Sequence, residues 1–116
     1  MKNLGLQYIV EYYGCDRHIL SKVNLIKVRM VEAALEGGAN IVAKKFKQFD
    51  PWGVSGMLIV SESHVSIHTW PEYEYAAVDI FTCGTEMNCE AIERGLLRRL
   101  KAERCERLVL KRPIQL

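Results

Sequence analysis

No run of apolar residues in this 116-residue chain approaches the roughly 18 needed to cross a bilayer. The opening stretch "MKNLGLQYIVEYY" alternates in polarity and has no small-residue cleavage site, which argues against a signal peptide and for the cytosol. Cysteine pairing motifs are absent: the four cysteines, Cys15, Cys83, Cys89 and Cys105, form no C-x-x-C pair and no zinc-like spacing. In the cytosol they are expected as free thiols, three of them small apolar fillers, with Cys83 set apart below. There is no polybasic arm either. Residues 1–62 carry eight basic and six acidic groups, residues 63–116 carry eight of each, and the net charge is +2. The densest basic stretch, "RGLLRRLKAERCERLVLKR", alternates in sign and interleaves with leucines, as on a solvated helix face, and so argues against a nucleic-acid partner. Linkers, internal repeats and low-complexity segments are missing as well, leaving one domain over 1–116. Finally, no G-x-S-x-G elbow and no Ser-x-x-Lys occur, which removes the usual acyl-transfer serines.

What is present is periodicity. Leu4, Leu6, Tyr8, Val10 and Tyr12 alternate with their neighbours and predict a strand. "GCD" turns the chain, and Asp16 can cap a short helical piece. Asn24 is expected to cap a longer helix with Ile26, Met30 and Ala34 on one face, stopped by "EGG" at 36–38, where Gly37 or Gly38 can take the left-handed conformation. "NIVAKKFKQF" reads as a second strand. After the turn "DPWG", residues 55–61 read as a strand buried on both faces, 64–70 as the next, ended by Pro71, and 76–83 as a fifth. Asn88 can cap a second long helix carrying Ile92, Leu96 and Leu100, before a last strand, "CERLVLKR". Strands joined by short turns pair antiparallel, and two helices with single apolar faces cover one side of the sheet. The expectation is an α+β two-layer sandwich, with a second copy on the other sheet face or its edge.

Between two of these strands lies "VSESHVSIHTWPE", residues 60–72, unusually dense in serine, histidine and glutamate. A serine is a nucleophile only when activated or when its surroundings are strained. In a strained turn the Ser63 hydroxyl can add to the Glu62 carbonyl, turning the peptide into an ester. A base then removes the Ser63 α-proton, the ester leaves, and the resulting dehydroalanine hydrolyses to a pyruvoyl group. Such a cut yields residues 1–62 and 63–116. Histidine is a residue type that serves as such a base, and His68 is the candidate. An ordinary hairpin turn rich in serine is the alternative reading of the same residues.

Together with "FDPWGVSG" before it and "AAVDIFTCG" after it, this segment closely resembles the prokaryotic S-adenosylmethionine decarboxylases, pyruvoyl enzymes made as a proenzyme. The resemblance covers about the first 85 residues; Gly14 departs from relatives that carry a carboxylate there. It implies cleavage between Glu62 and Ser63, a processing histidine at His68, a supporting serine at Ser55 and a catalytic proton donor at Cys83. It further implies that Phe49 stacks on the adenine, that Glu72 binds the ribose hydroxyls, that Glu62 lies beside the substrate and that Glu11 contributes to the polar wall. The cofactor would be the covalent pyruvoyl group derived from Ser63, and the partner a second copy, in a homodimer with sites at the interface. Ser63 and Cys83 would then come from one protomer, and Phe49, Ser55, His68 and Glu72 from the other.

The chemistry suits those residue types. The substrate amine would form a Schiff base with the pyruvoyl carbonyl, which accepts the electrons released with carbon dioxide. A thiol, largely protonated near neutral pH, can then return a proton to carbon. His64 shares strand parity with His68, but further zinc ligands are not evident and no metal is expected. The product would be the aminopropyl donor for spermidine synthesis. Two rivals remain at this level. One is a pyruvoyl decarboxylase of ornithine or arginine, which needs neither Phe49 nor Glu72; the other is an uncut, non-enzymatic module binding a nucleoside or a partner chain.

Overall fold

The computed structural model describes residues 3–84 and 87–115. Alternating side chains form the first strand, β1 (Gly5–Tyr13), and Asp16 then caps the short helix α1 (Arg17–Leu20) by accepting from the Ile19 N–H at 3.0 Å. Helix α2 (Val23–Glu36) leads to three antiparallel strands, β2 (Ile41–Gln48), β3 (Val54–Val60) and β4 (Ser63–Trp70). A 3-10 turn at Pro71–Tyr73 connects to β5 (Tyr75–Thr82), followed by α3 (Cys89–Arg99) and β6 (Arg104–Arg112). The six strands make one sheet in the order β2-β3-β4-β5-β1-β6, every neighbouring pair antiparallel.

The helices lie on one face of this sheet, as the α+β sandwich requires. Val10, Tyr12, Leu58, Val65, Ile67 and Ile80 point into the shared core and meet Ile26, Met30 and Ala34 of α2 and Ile92, Leu96 and Leu100 of α3. The Tyr12 hydroxyl crosses the core and donates to the Glu93 carbonyl at 2.7 Å, giving a buried phenol the partner it needs. Burial holds that phenol above its ordinary pKa, so it stays a donor. Among the described residues, no helix is long and apolar enough to cross a membrane.

Two expectations need correction. Asn24 does not cap α2: Lys22 occupies the cap position without a side-chain bond, and the Val23 N–H instead donates to Gln48 Oε1 of β2 at 2.9 Å. The Gln48 amide also donates to the Ser21 and Gly53 carbonyls at 2.9 and 3.0 Å, so a tertiary partner has replaced the local cap. Nor is β3 buried on both faces. Its burial alternates, and Met57 and Ile59 stand 41% and 44% exposed on the face the helices do not cover. "GMLIV" is apolar at both parities, but this chain supplies a layer for only one of them.

The two long helices meet where α2 ends. Gly38 takes φ +80° and lets the chain turn out of the helix, while the carbonyl of Gly37 accepts from the Asn88 N–H at 2.8 Å. A Cβ on Gly37 would sit 2.9 Å from the Asn88 carbonyl oxygen, a backbone atom with little room to retreat. Gly37→Ala is therefore expected to destabilise the fold by about 1–3 kcal/mol, read by denaturant titration, because it separates the two helix ends.

Candidate active site

The candidate chemistry starts at the corner between β3 and β4. Val60 pairs with Ser63, leaving Ser61 and Glu62 as a two-residue turn. Ser61 has φ +48°, in the left-handed region that residues with a side chain seldom occupy. Holding a residue there costs on the order of 1–3 kcal/mol. Strand β4 runs against β5 from His64 opposite Phe81, which puts Cys83, just beyond β5, beside this turn.

Cys83 makes two contacts there. Its backbone N–H donates to Ser63 Oγ at 3.3 Å, and its thiol donates to the Glu62 carbonyl oxygen at 3.2 Å. The hydroxyl and the carbonyl of the Glu62–Ser63 bond are thus gripped by one residue. Between this corner and the loops that adjoin the helices lies an open cleft of about 450 Å³, lined by Gly38, Ala39, Asn40, Glu62, Ser63 and Met87.

The remaining candidates gather at the opposite end of the same hairpin. Ser55 pairs with His68, and Ser55 Oγ stands 2.7 Å from His68 Nδ1. Trp70 tilts against His68 with ring centroids 6.3 Å apart and stacks on Tyr75 at 5.3 Å, which in turn stacks on Tyr13 at 5.8 Å. The Tyr75 hydroxyl donates to Glu11 at 2.7 Å; burial and then the carboxylate hold its pKa up. Glu11 and His68 both pair with Ala77 and so lie in one row across the sheet. Phe49 is exposed just past β2, its ring 5.5 Å from Lys47 Nζ, and Glu72 is exposed in the 3-10 turn after β4. His64 does not join His68; it stacks on Phe81 at 5.8 Å.

Two groups result. Glu62, Ser63 and Cys83 form one, and Ser55, His68, Phe49 and Glu72 surround the other end. Ser63 and His68 are five residues apart on β4, which separates them by roughly 16 Å along the strand. Within one chain they do not meet.

With this geometry in view, residues 6–113 match the family model described as S-adenosylmethionine decarboxylase. The chain belongs to the S-adenosylmethionine decarboxylase family. It is 50% identical over 104 residues to the S-adenosylmethionine decarboxylase proenzyme of Thermotoga maritima, covering 90% of this chain and 80% of that one. With the proenzyme of Acetivibrio thermocellus it shares 46% over 120 residues, covering 99% and 97%. The crystal structure of the adenosylmethionine decarboxylase from Aquifex aeolicus VF5 aligns with a TM-score of 0.89 at 30% identity, over 99% of this chain and 95% of that one. A Trypanosoma brucei AdoMetDC monomer shares the fold, with a TM-score of 0.68 at 20% identity over 90% of this chain and 45% of the other. The family is one of decarboxylating enzymes.

Some residues around this family's candidate site escaped the sequence reading. Trp70 shares parity with His68 in "HTW", a signal that could have placed it on the same face. Tyr75 and Tyr13 had no such signal, since their stacking depends on the register between β5 and β1.

The four thiols differ sharply in surroundings. Burial pushes Cys15 up to about 12 and Cys89 up to about 11, and raises half-buried Cys105, whereas Cys83 is exposed. Only thiolates react. At pH 8 a disulfide reagent should therefore show one fast equivalent per native chain, mapping to Cys83 and lost in Cys83→Ala. Cys15 and Cys89 should react only on unfolding.

Proposed function

We propose that this chain is the precursor of a pyruvoyl-dependent S-adenosylmethionine decarboxylase that cuts itself between Glu62 and Ser63. The observation that carries the reading is the Cys83 thiol on the Glu62 carbonyl, beside the Ser63 hydroxyl and a strained turn. Ser63 Oγ adds to the Glu62 carbonyl carbon, and the oxygen that becomes negative already has a donor. The C–N bond breaks as the nitrogen takes a proton, leaving an ester and a free amine on residue 63. A base removes the Ser63 α-proton, the Cβ–O bond breaks, and Glu62 departs as a carboxylate. Tautomerisation, addition of water and loss of ammonia leave a keto group at the head of 63–116. In the tautomer whose Nδ1–H donates to Ser55 Oγ, 2.7 Å away, the Nε2 lone pair of His68 can act as that base.

A pyruvoyl group at the head of 63–116, derived from Ser63, would supply an electron-accepting ketone for a substrate amine that loses carbon dioxide. The chain's own residues do the rest. Cys83 returns a proton to the substrate carbon, for which a thiol is a far better acid than a hydroxyl. Phe49 offers an exposed ring to the adenine, Glu72 a carboxylate to the ribose hydroxyls, Glu62 lies beside the substrate, and Glu11 contributes to the polar wall. The product supplies an aminopropyl group for spermidine synthesis in the cytoplasm.

Two copies are needed. Since His68 lies roughly 16 Å from Ser63 along β4, the second protomer supplies Ser55, His68, Phe49 and Glu72 to the first one's Ser63 and Cys83. The open sheet face, with Met57, Ile59 and Trp70 about two-fifths exposed, gives that partner apolar surface to cover.

Intact mass and activity test this reading. The Ser63→Ala chain should remain a single 13.3 kDa species, while the natural chain resolves into 1–62 and 63–116, the latter with a blocked N-terminus that carbonyl reagents trap. A natural chain that stays whole after folding would sink the proposal. Co-expressing Ser63→Ala with His68→Ala should restore roughly a quarter of the wild-type sites, because each mixed dimer retains one complete site. No recovery in mixed dimers would refute the sharing.

A further inference from the structure

We infer that Asn40 is a positioning residue for self-cleavage, holding Ser61 in a strained turn that speeds the break one residue away. This rests on the processing reading above, and it assigns a function to two residues outside the acyl and base groups.

A two-residue hairpin turn with positive φ at its first position favours glycine there. The chain has serine at that position, with φ +48°. Glycine would make the same turn without steric cost, but it would have no hydroxyl to hold. Here the hydroxyl is held: Asn40 Nδ2 donates to Ser61 Oγ at 3.4 Å. Asn40 itself is well anchored. Ile41, the next residue, pairs with Val60, and the β2–β3 register shifts between Ile41 and Ala43. Behind Asn40, the Ala39 N–H donates to the Ala34 carbonyl at 2.9 Å, and the Gly37 carbonyl receives the Asn88 N–H at 2.8 Å. The pin is thus fastened to both long helices, and both ends of the turn are fixed by the Val60–Ser63 pair.

Strain at Ser61 lies on the acyl side of the bond to be broken. An amide resists rotation strongly. Once Ser63 Oγ has taken the acyl group, the ester turns more freely and Ser61 can relax. Strain released along the reaction raises the starting state relative to the barrier, so cleavage is faster than in a relaxed turn.

The test is the rate of cleavage after cell-free synthesis, followed by intact mass, with melting temperatures taken in the Ser63→Ala background. Ser61→Gly should cleave about threefold to tenfold more slowly, yet melt no lower than its parent. Asn40→Ala should also be several-fold slower. Asn40→Asp should keep the rate, since its carboxylate can accept from the Ser61 hydroxyl. The Ser61→Gly/Asn40→Ala double variant should be no slower than Ser61→Gly alone, because the pin then has nothing to hold. A purely structural role predicts the opposite for Ser61→Gly, a sounder turn that cuts as fast as wild type or faster, and that result overturns the inference. A wild-type chain that is never cut overturns the parent reading and takes this one with it. A wild type that cuts while Ser61→Gly matches it defeats this inference alone.

Discussion

At the β3–β4 corner, a backbone carbonyl accepts a hydrogen bond from a thiol twenty-one residues further along the chain, at 3.2 Å. That contact exists only while β4 and β5 keep their register, His64 opposite Phe81. A slip of one residue would turn Cys83 to the other face and leave the Glu62 carbonyl bare. The register in turn depends on one-sided burial. Val65, Ile67, Val78 and Ile80 must face the helices, and they are all essentially inaccessible. The helix layer therefore serves the corner twice, by fixing which way the strands face and by anchoring the loop that reaches Ser61.

The same one-sidedness divides the functional residues. The covered face carries almost no polar chemistry. The open face carries His64, Ser66, His68, Glu11 and Asp79 among aromatic rings, together with Met57 and Ile59, which an isolated chain leaves in water. A surface of this composition has neither the depth of an enclosed pocket nor the polarity of a free exterior. A small fold can gain depth by placing a second sheet against the first.

Much of this was legible in the sequence, for identifiable reasons. All six strands and both long helices follow from periodicity, and the caps at Asp16 and Asn88 from local chemistry. The Ser55–His68 pair is not readable in the same way: strands taken as 55–61 and 64–70 put the turn at Glu62-Ser63 and set His68 opposite Met57, whereas the turn lies at Ser61-Glu62 and sets it opposite Ser55. Long-range substitutions for local rules were not legible. Asn24 looks like a cap, but Gln48 reaches α2 from a strand twenty-five residues away and leaves it no role. The apolar run in β3 looks doubly buried because composition does not reveal how many layers a chain can supply. Resemblance, rather than pattern, pointed to Cys83, Phe49 and Glu72, and neither the φ of Ser61 nor its bond to Asn40 leaves any trace in residue type.

Topology also bears on how a fold could survive a break at its own hairpin. A cut at Glu62–Ser63 leaves β1, β2 and β3 in one piece and β4, β5 and β6 in the other. The sheet does not divide along that line. Strand β1 lies between β5 and β6, and β3 still pairs with β4, so three of the five strand pairings join the two pieces. The Tyr12–Glu93 bond, the Gly37–Asn88 bond and the pairing of Glu36 with Arg98 and Arg99 cross between them as well. Cleavage would sever one turn and release whatever strain Ser61 stores, while the core from both sides remains buried. The pieces would be held by the same contacts that folded the precursor, which is why the corner is a place where the backbone can be broken without loss of the sheet.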